Sequence, residues 1–272
     1  LSTAEQVLPA DHVWLAEVNE ARSDLFAKVT SPSHRADSSF QRTLAQKLAE
    51  LKTGYQDVYL ELHKRAHLGA KEDDKKGALT QDPRLKQLQK LDAVEIMPHQ
   101  QLQSFQDTLL GLNTCFALSR QDLEQNHVCP HTQYRPVESP PGAMSASQVL
   151  TGLDDRLDDL HRDWTQTLLS NLDDPTVGPN IELISDPSGK GELEAFMKDR
   201  ELPDPVSTAF VKALQEALTG LEKVAVTDAG LRAALTAGGI PCTIEELKSR
   251  FDAYIADLTK GKDTKKTRVV VE

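Results

Sequence analysis

The chain contains no run approaching the ~18 apolar residues that a membrane-spanning helix needs, which excludes an integral helical membrane protein. Cysteine is scarce: Cys115, Cys129 and Cys242 are odd in number and widely spaced. That excludes a secreted disulfide framework and predicts a reducing, cytoplasmic compartment. Aromatic residues make up 5%, so leucine and alanine must fill most of the core. Positive charge is in deficit too. A net charge of −11 argues against a surface devoted to nucleic-acid phosphates, although a local basic patch stays open. The opening LSTAEQVLPADH has no initiator Met and is too polar for a signal peptide, so we expect a piece of a longer protein.

What the sequence does have is helical periodicity. In the stretch Ser145 to Leu172, Leu150, Leu153, Leu157, Leu160 and Trp164 recur at spacings of three and four, the stripe of a helix that packs on another helix. Ser145 and Gln148 form a capping box at its start. Ser39 to Leu68 carries a similar stripe of Leu48, Leu51, Tyr55, Val58 and Leu62; Asp37, Ser38 and Ser39 offer caps for it, and Ser38 with Gln41 fits a capping box. Two such seams, each on the order of 40 Å long, predict an antiparallel pair of long helices. Shorter helices are expected from Ala10 to Val29, Pro83 to Val94, Pro98 to Leu112, Ser119 to Gln125, Gly191 to Lys198 and Val206 to Leu218. KEDDKK at 71–76 reads as an exposed linker or a first helical turn.

The last fifty residues change character. Glu222 to Val226 alternates as a short strand, Thr227 caps a helix, and Thr243 with Glu246 opens another. Arg268 to Val271 is strand-like again. The expected fold is therefore mainly α, a multi-helix bundle with a long antiparallel helix pair and a small C-terminal β-α-α-β unit. The expected division is an N-terminal helical half (1–126), a Cys/His/Pro-rich loop (127–144), the long helix and those after it (145–219), and the β-α-α-β unit (220–272), packed as one body.

Candidate chemistry is sparse. Cys115, His127, Cys129 and His131 have the atom types for tetrahedral zinc. Alternate residues of one short loop rarely converge on one ion, however, and Thr132 stands where Cys-x-x-Cys needs its second cysteine. The expectation is a buried cysteine with solvent-facing histidines, and no metal. His63 and His67 stand four apart, but a zinc peptidase needs Glu after the first His and Lys64 is there. Asp154, Asp155, Asp158, Asp159 and Asp163 lie mostly opposite the leucine stripe and read as a solvated face, with docking of a basic partner as the sharper alternative. Ser188 to Gly191 resembles part of a phosphate loop, but Ile184 and Gly191 hold the places of the required Gly and Ser/Thr, so a flexible turn is expected. Lys260, Lys262, Lys265, Lys266 and Arg268, together with Lys75 to Arg84, supply the basic segments of a rival reading, a nucleic-acid-binding module.

Several segments, in order, resemble one family. They are LHKRAHLG (62–69), DPRLKQLQKL (82–91), MPHQQL (97–102), CFALSRQDLEQNHVCPHTQYRP (115–136), DWTQTLLSNLDDPTV (163–177), ELPDPVSTAFVKALQEALTGLEKV (201–224) and IPCTIEELKSRFDAYIADLTKGKD (240–263). The chain resembles the C-terminal helical region of the large bacterial P-loop ATPases of BREX and phage-growth-limitation defence, the phage-growth-limitation Y protein-like family. The resemblance implies a non-catalytic helical scaffold that positions or assembles an ATPase whose nucleotide site, and bound ATP, lie upstream of Leu1. It implies as partners the other domains of the parent and further defence proteins, with self-association also open, DNA disfavoured and no membrane. Relatives carry a second Cys in a CPxC arrangement where this chain has Thr132. If that family site holds zinc, Cys115, Cys129 and His131 are what is left of it.

Overall fold

The computed structural model describes residues 2–271, and over these the chain is mainly helical, with fourteen α-helices and a two-stranded sheet. Helix α1 covers Ser2–Val7, α2 Val13–Thr30, α3 Pro32–Ala36 and α4 Ser38–Ala66. Next come α5 Ala70–Thr80, α6 Pro83–Leu91, α7 His99–Gly111 and α8 Asp122–Gln125. After a 3-10 turn at Pro136–Glu138 follow α9 Ala146–Leu172, α10 Gly178–Glu182, α11 Pro187–Asp199 and α12 Thr208–Ala217. Strand β1 Glu222–Val226, helices α13 Asp228–Thr236 and α14 Ile244–Leu258, and strand β2 Thr267–Val271 complete the order. No described helix is long and apolar enough to cross a membrane.

The chain divides into two compact units. One takes the chain up to Gly77 together with Leu110–Gly152, and the other takes Ala78–Leu109 with the chain from Leu153 onward.

In the first unit, Ala4, Val7, Leu8, Leu15, Tyr59, Leu123 and Cys129 form the core. Helix α2 lies against α4 where α4 has no side chain, since a Cβ on Gly54 would stand 2.5 Å from Trp14 Nε1. The cap of α4 is Asp37, whose carboxylate accepts the Ser39 N–H at 2.8 Å, while Gln41 reaches the Arg35 carbonyl at 3.0 Å. Of the caps that the sequence offers, Asp37 is therefore the one in use, and the Ser38–Gln41 box does not form. A carboxylate one residue earlier both accepts the free N–H and opposes the positive end of the helix dipole. The expected stripe buries α4 only in part, with Tyr55, Val58 and Leu62 half-buried against the core. Leu48 is 54% exposed, the buried face is Gln56, Tyr59 and His63, and the helix packs on α2, α3 and the 3-10 turn. Of the two readings of KEDDKK the helical one holds: the segment supplies the first turn of α5, with Glu72 and Asp73, and runs on into its body, where Lys76 donates to the Leu112 carbonyl at 2.7 Å.

In the second unit the α9 stripe holds: Leu153, Leu157, Leu160, Trp164, Leu168 and Leu172 are all buried. At roughly 1.5–3 kcal/mol per buried leucine, this face outweighs any cap of about 1 kcal/mol. The Ser145–Gln148 box that starts the helix forms as read, with the Gln148 N–H donating to Ser145 Oγ at 3.2 Å and the Ser145 N–H to Gln148 Oε1 at 2.9 Å. Gln87 of α6 is buried and donates to the Pro203 carbonyl at 3.0 Å; its Oε1 stands 2.8 Å from His161 Nε2 of α9. Ser188 to Gly191 is not a loose turn. It is the first turn of α11, capped by Asp186, and a Cβ on Gly189 would meet the Ala209 carbonyl oxygen of α12 at 2.5 Å. The glycine lets two helices approach closely, so its role is packing.

The β-α-α-β unit also forms. Strands β1 and β2 pair in parallel with Val224 opposite Val269, as a helical crossover requires, and Val224 and Val226 are buried. Its Thr243–Glu246 capping box is complete.

Candidate metal centre

Four rings climb one face of α4 at intervals of four residues: Tyr55, Tyr59, His63 and His67. Successive centroids stand 6.0, 6.2 and 4.0 Å apart. An interval of four returns a side chain to nearly the same face of a helix, so the column follows directly from the spacing. The two tyrosines hold the Cys/His/Pro-rich loop by its backbone. Tyr55 donates to the His127 carbonyl. The Tyr59 hydroxyl donates to the Tyr134 carbonyl at 2.7 Å and accepts the Cys129 N–H at 2.7 Å. Arg65 of the same helix donates to the Ala143 carbonyl at 2.8 Å.

Within the loop, the Gln133 N–H closes a turn onto the Cys129 carbonyl at 2.9 Å, with Gln133 itself at φ 54°. This turn sends Cys129 fully into the core and leaves His127 and His131 exposed. Alternate residues of the loop thus diverge, as the sequence reading anticipated.

A second device fixes Cys115. Just past the end of α4, the Leu68 N–H donates to the Asn113 carbonyl at 2.9 Å and the Cys115 N–H donates to the Leu68 carbonyl at 3.2 Å, forming a parallel bridge. The two anchors bring the Cys115 and Cys129 sulfurs to 3.8 Å. A ring nitrogen of His63 joins them, and the three donor atoms all lie within 4.8 Å of one another. His63 is buried, and its Nε2 has no hydrogen-bond partner among the described residues.

Burial pushes the His63 imidazole down to about 4, helped by His67 and His131, so the ring is neutral at pH 7. Burial also pushes the Tyr59 hydroxyl up to about 12. The two thiols differ. Burial and donation to Cys129 raise Cys115. Burial would raise Cys129 as well, but Thr132, the His131 N–H and the Cys115 thiol outweigh it and lower the group. A neutral imidazole beside two cysteine sulfurs is the donor set of a soft transition-metal site.

Of the four loop residues singled out in the sequence, Cys115 and Cys129 come together, whereas His127 and His131 do not enter the cluster. His63 was visible only as half of a His-x-x-x-His pair. That pair does not chelate: the rings stack, and His67 Nδ1 lies 2.9 Å from the His63 carbonyl oxygen. The signal that could have found His63 is the four-residue ladder of rings itself, read together with two distant cysteines.

Several residues of the charged segments are engaged internally. Arg84 bonds to Asp82 at 2.8 Å, to Asp154 at 2.9 Å and to Asp158. Arg162 reaches Asp159 at 2.6 Å and Asp163 at 3.7 Å. The acidic run of α9 is therefore more than a solvated face, because two of its carboxylates grip α6. Near the C-terminus, Arg268 bonds to Asn171 and Asp174, both at 2.8 Å, and Lys262 to Glu222 at 3.0 Å.

Fold and cluster together define a mainly helical protein with a buried Cys/His group. Residues 1–63 match a family model described as the 5th domain of a family of unknown function (DUF6079), and residues 71–163 match the 6th domain of the same family. The junction falls between α4 and α5. The cluster draws on both regions, with His63 from the first and the two cysteines from the second. Neither description mentions an ATPase or phage defence. No curated protein and no solved structure matches the chain.

Proposed function

We propose that this chain is a non-catalytic helical interaction module within a larger multidomain protein. The observation that carries this reading is that two successive domains of one family match it in order. A fifth and a sixth domain imply neighbours that this segment must meet. The segments that resemble phage-defence ATPases name a candidate parent, in which the P-loop lies upstream and this module positions the motor against other defence proteins. The rival, nucleic-acid-binding reading has less support, because Arg84 and Arg268 are held by carboxylates of the chain itself.

The test is to read the native gene upstream of the Leu1 codon. A long open frame with a Walker motif is the expected result. A frame without one would remove the ATPase from the proposal. In parallel, the purified chain is expected not to bind DNA even at low salt. Binding that weakens steeply as salt rises would favour the rival.

A further inference from the structure

We propose that His63, Cys115 and Cys129 hold a zinc ion, which fastens the end of α4 to the loop that follows α8. Three independent features of the geometry support this. The first is distance: two sulfurs bound to one tetrahedral zinc at ~2.3 Å each stand about 3.8 Å apart, and the Cys115 and Cys129 sulfurs stand 3.8 Å apart. A disulfide would need about 2.05 Å.

The second is the unsatisfied donor. A buried polar atom without a partner is costly, and native proteins seldom leave one. His63 Nε2 is such an atom, on a ring whose nitrogen is within 4.8 Å of both sulfurs. A Cys115–Cys129 disulfide would leave it unpartnered, whereas an ion bonded to all three would not. The third is construction. The cysteines come from separate segments, each tied by backbone hydrogen bonds to α4 or to the residue just beyond it. Such supports orient ligands before an ion arrives.

Two thiolates and one imidazole form a soft set suited to zinc over magnesium or calcium. A tetrahedral ion takes a fourth ligand. His131 follows Cys129 by two residues and its side chain is exposed. A His131 turned inward would close the site as a structural centre with no open position for substrate.

The test uses the full 272-residue chain, purified under reducing conditions. Metal analysis is expected to find one zinc per chain. Replacement by cobalt is expected to give the sulfur-to-cobalt charge-transfer band and the visible bands of a tetrahedral thiolate site. Stoichiometry should fall to near zero in Cys115→Ser and in His63→Asn, while His127→Ala keeps its zinc. Where a cysteine variant fails to fold, the wild type decides alone: a chelator should lower its melting temperature and zinc should restore it. A reduced wild-type chain that carries no zinc, takes none up and shows no cobalt–sulfur band would overturn the proposal. So would a zinc content that His63→Asn leaves intact. His131→Ala isolates the fourth ligand, with weaker binding expected; unchanged affinity would overturn its part in closing the site.

Discussion

The hydroxyl of Tyr59 accepts the backbone N–H of Cys129 at 2.7 Å and donates to the Tyr134 carbonyl at 2.7 Å, so a single side chain of α4 satisfies two backbone groups of one loop. Tyr59→Phe keeps the ring and removes both bonds, leaving a buried N–H without a partner. A loss of about 1–3 kcal/mol is expected. Tyr55→Phe removes one bond in a more exposed setting and should cost less. Urea midpoints of the two variants check the order, and equal losses would mean that the loop is not held through Tyr59.

Leu157 and Leu48 belong one to each of the two stripes that the sequence presents, yet Leu157 is wholly buried and Leu48 is 54% exposed. Leu157→Asp places an unpaired charge in the core and should abolish cooperative melting. Leu48→Asp should change stability by no more than about 0.5 kcal/mol. Circular-dichroism melts separate these outcomes, and two variants equally damaged would mean that Leu48 is buried as deeply as Leu157.

That contrast shows how far the sequence could be read. Helix positions were legible because periodicity and caps act locally. α9, α14 and both strands fall where Leu150 to Trp164, Thr243 with Glu246, and Val269 to Val271 place them. Which face of α4 is buried was legible only in part: Tyr55, Val58 and Leu62 pack on the core, but the fully buried line of Gln56, Tyr59 and His63 was not foreseen, because a leucine stripe records only what a helix can bury. The face in use is set by partners far along the chain, in the loop after α8 and the segment around Cys115. The metal candidate appeared only in part for the same reason, with Cys115 and Cys129 singled out but His63 not joined to them. Its two cysteines lie 14 residues apart and its histidine lies more than fifty residues before them, a spacing that matches no short motif. Gly189 was misread because a glycine in a turn and a glycine at a helix crossing look alike until the neighbouring helix is known.

The Arg84 side chain holds the Asp82 carboxyl below its ordinary value of 3.8, outweighing the opposing effect of burial. Because the folded-state value lies below the unfolded one, the associated stability is present above the ordinary carboxylate range. It is lost as pH falls from about 4 through the folded value. Asp82→Asn keeps a side chain able to cap α6 but removes the titration. Below pH 4 the wild type should therefore lose stability more steeply than the variant. Urea midpoints from pH 5 downward measure both slopes, and parallel curves would show that the Arg84–Asp82 pair contributes no acid sensitivity.

Gly189 and Gly191 stand two residues apart on α11 and should respond oppositely to alanine. At Gly191 a new methyl meets nothing within 4 Å. The helix then gains by the lower backbone entropy of alanine, and Gly191→Ala should stabilise by roughly 0.5–1 kcal/mol. At Gly189 the same methyl would stand 2.5 Å from the Ala209 carbonyl oxygen and 3.2 Å from Ala213 Cβ, both on α12. Backbone cannot yield as the tip of a side chain can, so the two helices must move apart. Overpacking of this kind costs about 1–3 kcal/mol, more than the helical preference returns. Thermal melts of the two single variants give the signs directly. A stabilising Gly189→Ala would mean that α11 and α12 do not pack as closely as their shared contact at this glycine requires.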